Sequence, residues 1–316
     1  ADPVDPDRIY AEDTFLRTSA DGGKTWDRLS VRHKHVDDHA LWIDPACTEH
    51  LVAGCDGGLY ESFDRGQTWR HFTNLPVTQF YRLAVDYDEP FYNVYGGTQD
   101  NNTIGGPSRT RYAYGAANRD WYFTLGGDGF EPACDPTDAD IVYCQWQHGN
   151  LVRWDRKTGE TVDVQPQPEA GEILKWNWNS PVIISPHDHR RLYFACQKLF
   201  RSDDMGNSWT RISDDLSRGL DRNALEVMGR VWSVDAVAKN NSTSFWGSIV
   251  SLNESPVQED LLWVGTDDGL IQYTRDAGKS WTKLENFKGV PAQSYVSDIE
   301  PDRFDAGTVY ASFDNH

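Results

Sequence analysis

The 316-residue sequence has no apolar run of about eighteen residues, the length a membrane-spanning helix needs. Positive charge is also short: 30 Lys and Arg stand against 49 Asp and Glu, a formal net charge of −19. A field of that sign repels nucleic-acid phosphate and anionic membrane surfaces, so neither is an expected partner. Cysteine is sparse and scattered (Cys47, Cys55, Cys134, Cys144, Cys196), with no C-x-x-C spacing and an odd count that cannot pair fully. Cys55 and Cys196 close the matching stretches "VAGC" and "YFAC", which suits small buried strand residues better than metal ligands. Cys134 and Cys144 flank a turn, which leaves one disulfide open. No Gly-rich phosphate loop, G-x-S-x-G elbow or H-E-x-x-H helix occurs, so those chemistries lack their signatures.

What is present is aromatic and turn-rich. Hydrophobic residues make up only 38%, yet 13% are aromatic, with 13 Trp, 14 Tyr and 26 Gly. That balance favours β-structure over helix. One eight-residue phrase recurs four times: "SADGGKTW" from Ser19, "SFDRGQTW" from Ser62, "SDDMGNSW" from Ser202 and "TRDAGKSW" from Thr274. Recurrence at a spacing of tens of residues predicts a repeat architecture. Around each phrase the sequence reads as an apolar strand, an Asp-Pro-like turn, a second strand, a tight turn, a third strand, the phrase and a fourth strand. Residues 40–72, 181–212 and 248–284 show the unit whole, whereas copies near 79–110 and 121–164 keep the strands without the phrase. Four short strands per unit of about 40–50 residues predict the blades of an all-β, roughly seven-bladed propeller. Residues 1–316 read as one such propeller, its first and last blades incomplete. Residues 213–231 read as an inter-blade insertion with a short helix. The incomplete edges call for further strands from a longer chain or a second chain.

The phrase fits [ST]-x-D-x-G-x-[ST]-W, and its residues are those of a turn. A short carboxylate (Asp21, Asp64, Asp204, Asp276) can accept backbone N–H bonds, and Gly permits backbone shapes that other residues resist. The Trp (Trp26, Trp69, Trp209, Trp281) is expected to bury its ring between sheets. The phrase is therefore read as a blade fastener rather than the active site.

Alternating strands send two kinds of loop to the opposite face, where convergent polar groups mark the default ligand site. The loop into the second unit is "HKHVDDHALW", with His33, His35, Asp38 and His39. Mixed imidazole and carboxylate in that stretch make it the candidate divalent-cation site, no other cofactor being indicated. Tight turns contribute Asp56, Gln99, Asp100, Asn101 and Asp267. Further inner-strand loops contribute Asp128 in "LGGDGF" and Lys175, Asn177 and Asn179 in "KWNWNSP". Asp100 and Asp128 are the expected catalytic carboxylates, the remainder ligand-binding groups.

The strings "DDHALWIDP", "DGGLYESFDRGQTW", "YGGTQDNNT", "WNWNSP" and "GTDDGLIQYTRDAGKSW" resemble those of large secreted Asp-box (bacterial neuraminidase repeat) propeller proteins, described as glycosyl-hydrolase-like or sortilin-like. The resemblance spans nearly the whole chain. It implies a secreted, periplasmic or extracellular protein whose signal peptide lies outside this sequence. It also implies two classes of function: a glycoside hydrolase-like protein directed at glycans, or a non-catalytic module binding a protein or peptide. Sialidases of the wider group grip substrate with three arginines, and no such triad is legible here. Xyloglucanases use paired Asp residues in a cleft between two propellers, of which one is visible in this sequence.

Overall fold

The computed structural model describes residues 1–75, 77–239 and 245–314. The fold is all-β and built from propeller blades. Among the described residues, five antiparallel sheets have four strands in simple meander order, one has three and one has two, with a separate two-stranded ribbon. Among the described residues the two helical segments are each a single 3-10 turn. The chain divides into two compact units, residues 1–79 with 99–101, and residues 80–98 with 102–316.

The first unit holds two sheets. The three-stranded sheet comprises Ile9–Ala11, Arg17–Ser19 and Asp27–Arg28; the second comprises Asp38–Ile43, Leu51–Cys55, Gly58–Ser62 and Arg70–His71. Period-two alternation puts Leu51 and Ala53 on one face, where they pack with Leu16, Tyr60 and Trp69.

The second unit stacks the remaining sheets in chain order. The third sheet is Arg82–Val85, Asn93–Gly97, Thr103–Pro107 and Tyr122–Leu125; the fourth is Ala133–Cys134, Ile141–Trp146, Asn150–Asp155 and Thr161–Asp163. The fifth is Val182–Ile184, Leu192–Ala195, Leu199–Ser202 and Thr210–Arg211; the sixth is Ile249–Glu254, Leu262–Thr266, Ile271–Thr274 and Thr282–Leu284. Tyr295–Pro301 and Val309–Asp314 form the seventh. The first strand of each of these sheets lies beside the first strand of the next, the arrangement of successive propeller blades. Every strand between two sheets must satisfy both. In Leu192–Ala195, Leu192 and Phe194 join the core shared with the fourth sheet, while Tyr193 and Ala195 join the core shared with the sixth. Each such fully buried large side chain contributes roughly 2 kcal/mol of hydrophobic stabilisation.

The repeated turns have one hydrogen-bond pattern. Ser62 Oγ donates to Asp64 Oδ1 (2.8 Å) and accepts from the Gly66 amide (2.8 Å). Asp64 then accepts the Thr68 amide (2.8 Å) on Oδ1 and the Thr68 hydroxyl (2.6 Å) on Oδ2. Ser202 and Asp204, and Thr274 and Asp276, repeat it bond for bond. The Trp209 indole donates to Val164 O (2.6 Å) at the outer edge of the fourth sheet, and that of Trp281 to Ile212 O (3.3 Å) at the outer edge of the fifth. The turns at Ser202 and Thr274 thus fasten their sheets to the preceding ones.

Four details depart from the sequence reading. Trp26 is 40% exposed and its indole bonds back to Gly23 O, because no earlier sheet among the described residues receives it. Tyr122–Leu125 closes the third sheet rather than opening the fourth, since it pairs with Thr103–Pro107 across a long loop. The 213–231 insertion carries a 3-10 turn at Arg222–Ala224 and a ribbon of Glu226–Val227 with Arg230–Val231. All five cysteines are free. Cys134 sits opposite Val142 and Cys144 opposite Val152, so the two thiols occupy different rungs of the ladder.

Candidate functional site

In the first unit, the loop into the Asp38–Ile43 strand separates residues that the sequence groups together. His33 is exposed with φ 63°. Lys34 Nζ lies 2.5 Å from Asp38 Oδ1 with both side chains 1% accessible, so the Asp38 carboxylate faces a buried ammonium. His35 sets Nδ1 against Val36 O (2.9 Å) and Nε2 against Asp100 O (3.3 Å). His39 is exposed and its Nε2 reaches Asp56 Oδ1 at 2.6 Å. Asn101 donates from Nδ2 to the carbonyls of Asp56 (2.8 Å) and Gln99 (3.0 Å), pinning the two turns to each other. The carboxylates that do share a space are Asp37, Asp56 and Asp100, each placing one oxygen within 4.8 Å of the others. An all-oxygen set of this kind suits a hard cation better than the histidine-rich set read from the sequence.

In the second unit, Asp128 is 5% exposed, and Gln147 Nε2 donates to its Oδ2 at 2.6 Å. The "GGDGF" segment lies hard against the third sheet. A Cβ on Gly97 would stand 2.2 Å from Phe130 O, and one on Gly129 would stand 2.5 Å from Thr103 Oγ1, so both positions require Gly. Phe130 then anchors a set of rings. Tyr81 stacks on it (centroids 5.2 Å), Trp178 meets it edge-on (6.1 Å), and His148 meets Trp178 edge-on (5.1 Å).

Directly after Phe130 in the chain is Glu131, which the sequence reading passed over. Enclosure by protein pushes its carboxyl up to about 7; the Asp298 charge adds to the rise and Arg82 opposes it. Its carboxyl makes no hydrogen bond among the described residues. The available sequence signal was position: Glu131 follows "GGDGF" in the same inner-strand loop that drew attention to Asp128.

The other candidates of this unit are engaged in the fold. Lys175 Nζ is 4.0 Å from Asp215, and its amide donates to Gln197 Oε1 (2.7 Å). Asn177 Nδ2 donates to Ser248 Oγ (3.0 Å), and Asp267 accepts the Gly247 and Ser248 amides (both 2.9 Å). These two residues therefore fasten the start of the sixth sheet. Burial still pushes the Asp267 carboxyl up to about 6, with Asp268 adding to the rise. Asn179 leaves a buried Oδ1 without a partner among the described residues. Asp100 belongs to the first unit and Asp128 to the second.

No family model matches the chain. Among characterised proteins it is similar to a xyloglucanase of Acetivibrio thermocellus, 24% identical over 273 residues, covering 67% of this chain and 31% of that protein. It is likewise 24% identical to a xyloglucanase of a Paenibacillus species, covering 67% of this chain and 26% of that protein. The chain thus spans about a third or less of the length of these relatives. Among solved structures, YCF48 bound to D1 peptide aligns over 98% of this chain and 88% of that one, with TM-score 0.42 and 13% identity. The GH74 xyloglucanase of Xanthomonas campestris aligns over 88% and 44%, with TM-score 0.38 and 19% identity.

Proposed function

We propose that this chain is the propeller portion of a secreted glycoside hydrolase-like protein acting on a β-glucan of the xyloglucan type. The carrying observation is Glu131, a carboxyl raised by desolvation to about 7 that directly follows Phe130 of the Tyr81–Phe130–Trp178 ring set. Rings of this kind offer flat apolar faces to a sugar, and a carboxyl still protonated near neutrality can donate a proton to a glycosidic oxygen. Glycosidases need a second carboxylate about 5–10 Å from the acid, as nucleophile or as base for a water. Asp298, whose charge reaches Glu131, is assigned that role. Asp128, held by Gln147, is assigned to binding sugar hydroxyls. The xyloglucanase relatives support the substrate class. In this reading the four repeated turns are Asp-boxes that fasten blades and take no part in chemistry.

The test is release of reducing ends from xyloglucan by the intact protein and by Glu131→Gln and Asp128→Asn. Loss of the general acid should lower kcat by about 10²-fold or more while substrate binding persists. Asp128→Asn should raise KM more than it lowers kcat. Xyloglucan hydrolysis at the wild-type rate by Glu131→Gln would remove Glu131 from the mechanism. Retention of xyloglucan without hydrolysis by the wild type would leave a binding module instead.

A further inference from the structure

In the third sheet the connection between Thr103–Pro107 and Tyr122–Leu125 carries none of the repeated turns. It is a fourteen-residue excursion, "SRTRYAYGAANRDW" (108–121), containing three arginines and one aspartate in a chain whose net charge is −19. Trp121 anchors its base. The indole fills the space above Gly106, where a Cβ would stand 2.5 Å from the ring, and lies 6.2 Å from Phe80. The tip folds on itself, with Thr110 Oγ1 donating to Gly115 O (2.8 Å) and the Gly115 amide to Tyr112 O (3.1 Å). Residues 111–119 are all exposed; Tyr114 is fully so and Tyr112 is 59% accessible.

Two of the three cations lie on rings. The Arg119 guanidinium sits 4.4 Å from the centre of Tyr112, and that of Arg109 sits 5.8 Å from the centre of Phe91. Arg119 also pairs with Asp120 Oδ1 at 4.0 Å, while Oδ2 of that carboxylate accepts the Ala117 amide (2.7 Å). Arg109 and Arg111 have no carboxylate partner among the described residues. A guanidinium lying on an aromatic face keeps its N–H edge free for a carboxylate, and the neighbouring ring offers an apolar platform.

We infer that the 108–121 loop is a docking surface for an acidic polysaccharide, a chain of sugar rings bearing uronate carboxylates. This rests on the glycan-directed reading above and adds a second, charged glycan class, bound at this loop rather than at Glu131. Charge complementarity carries the choice: the loop is a local cationic patch on an anionic protein, and its carboxylate-free arginines are interleaved with open rings. A sugar acid presents both a C–H face for the rings and a carboxylate for the guanidinium groups. An acidic peptide would use the arginines and leave Tyr114 idle.

The test is native affinity electrophoresis of the intact protein through gels containing polygalacturonate, xyloglucan or polyglutamate. The variants are Arg109→Gln/Arg111→Gln and Tyr112→Ala/Tyr114→Ala; these exposed side chains should leave the melting temperature unchanged. Polygalacturonate should retard the wild type, and each double variant should weaken the apparent affinity about fivefold or more, as two exposed charge contacts or two ring contacts would. Xyloglucan retardation should be the same for all three proteins. Wild type unretarded by polygalacturonate, or either variant retarded like wild type, would overturn the inference. So would retardation by polyglutamate that the tyrosine variant retains, which would indicate an acidic protein as partner. Retardation by xyloglucan alone removes this surface and leaves the glycan reading standing; retardation by neither glycan removes both.

Discussion

Replacing Glu131 with Gln keeps the side chain's size and removes its ionisation, so the cost of charging that half-buried carboxyl becomes measurable. The group is raised from 4.5 in the unfolded chain to about 7 in the fold. Between those values the folded protein holds a proton that the unfolded chain releases. Stability must therefore fall as pH rises across that window and level off above it. A rise of that size, at about 1.4 kcal/mol per pH unit, corresponds to roughly 3 kcal/mol. Wild type should lose about that much stability, relative to Glu131→Gln, between pH 5 and pH 8. The variant should accordingly be the more stable protein at pH 8 and nearly equal to wild type at pH 5. Urea unfolding of both proteins at both pH values measures this as a double difference, in which Asp267 and the low-pKa carboxylates of the repeated turns cancel. A double difference near zero would show that Glu131 is solvated in the fold and would refute the enclosure argument.

Lys34→Met should destabilise by about 3–5 kcal/mol in urea unfolding, because it leaves the buried Asp38 carboxylate without its ammonium; restoration by Lys34→Met/Asp38→Leu is expected, and equal stability of the single variant would refute the buried pair. Gly97→Ala should displace the Phe130–Glu131 segment, since the new methyl would stand about 2.2 Å from the Phe130 carbonyl oxygen; loss of xyloglucan binding with a lowered melting temperature is the expected result, measured by affinity electrophoresis and calorimetry. Asp204→Ala removes acceptors for Ser202, Ser208 and the Ser208 amide, and should cost about 1–3 kcal/mol in thermal unfolding with glycan binding intact.

Much of the architecture is local, and local order is legible in a sequence. The phrase at Ser202–Trp209 closes its own hydrogen bonds within eight residues, so its recurrence announced both the turn and the spacing of the blades. Alternation of apolar residues located the strands, because side-chain direction in a strand depends only on position parity. Pairing across a long excursion is another matter. Tyr122–Leu125 carries no mark saying which neighbour it joins, and only its ladder with Thr103–Pro107 assigns it to the third sheet. Likewise the four phrase tryptophans are alike in sequence, yet Trp209 and Trp281 find a carbonyl on the preceding sheet and Trp26 finds none. The site follows the same division. The sequence pointed to the loops before the inner strands, because strand alternation sends them to one face. It could not rank the acids within them, since the state of a carboxyl depends on what other segments place around it. Asp38 is matched by Lys34 four residues away, whereas Glu131 is desolvated by its surroundings and feels Arg82 and Asp298 from two other sheets. Desolvation and charge act through space rather than along the chain, so the tertiary structure alone decided which carboxyl stays protonated near neutrality.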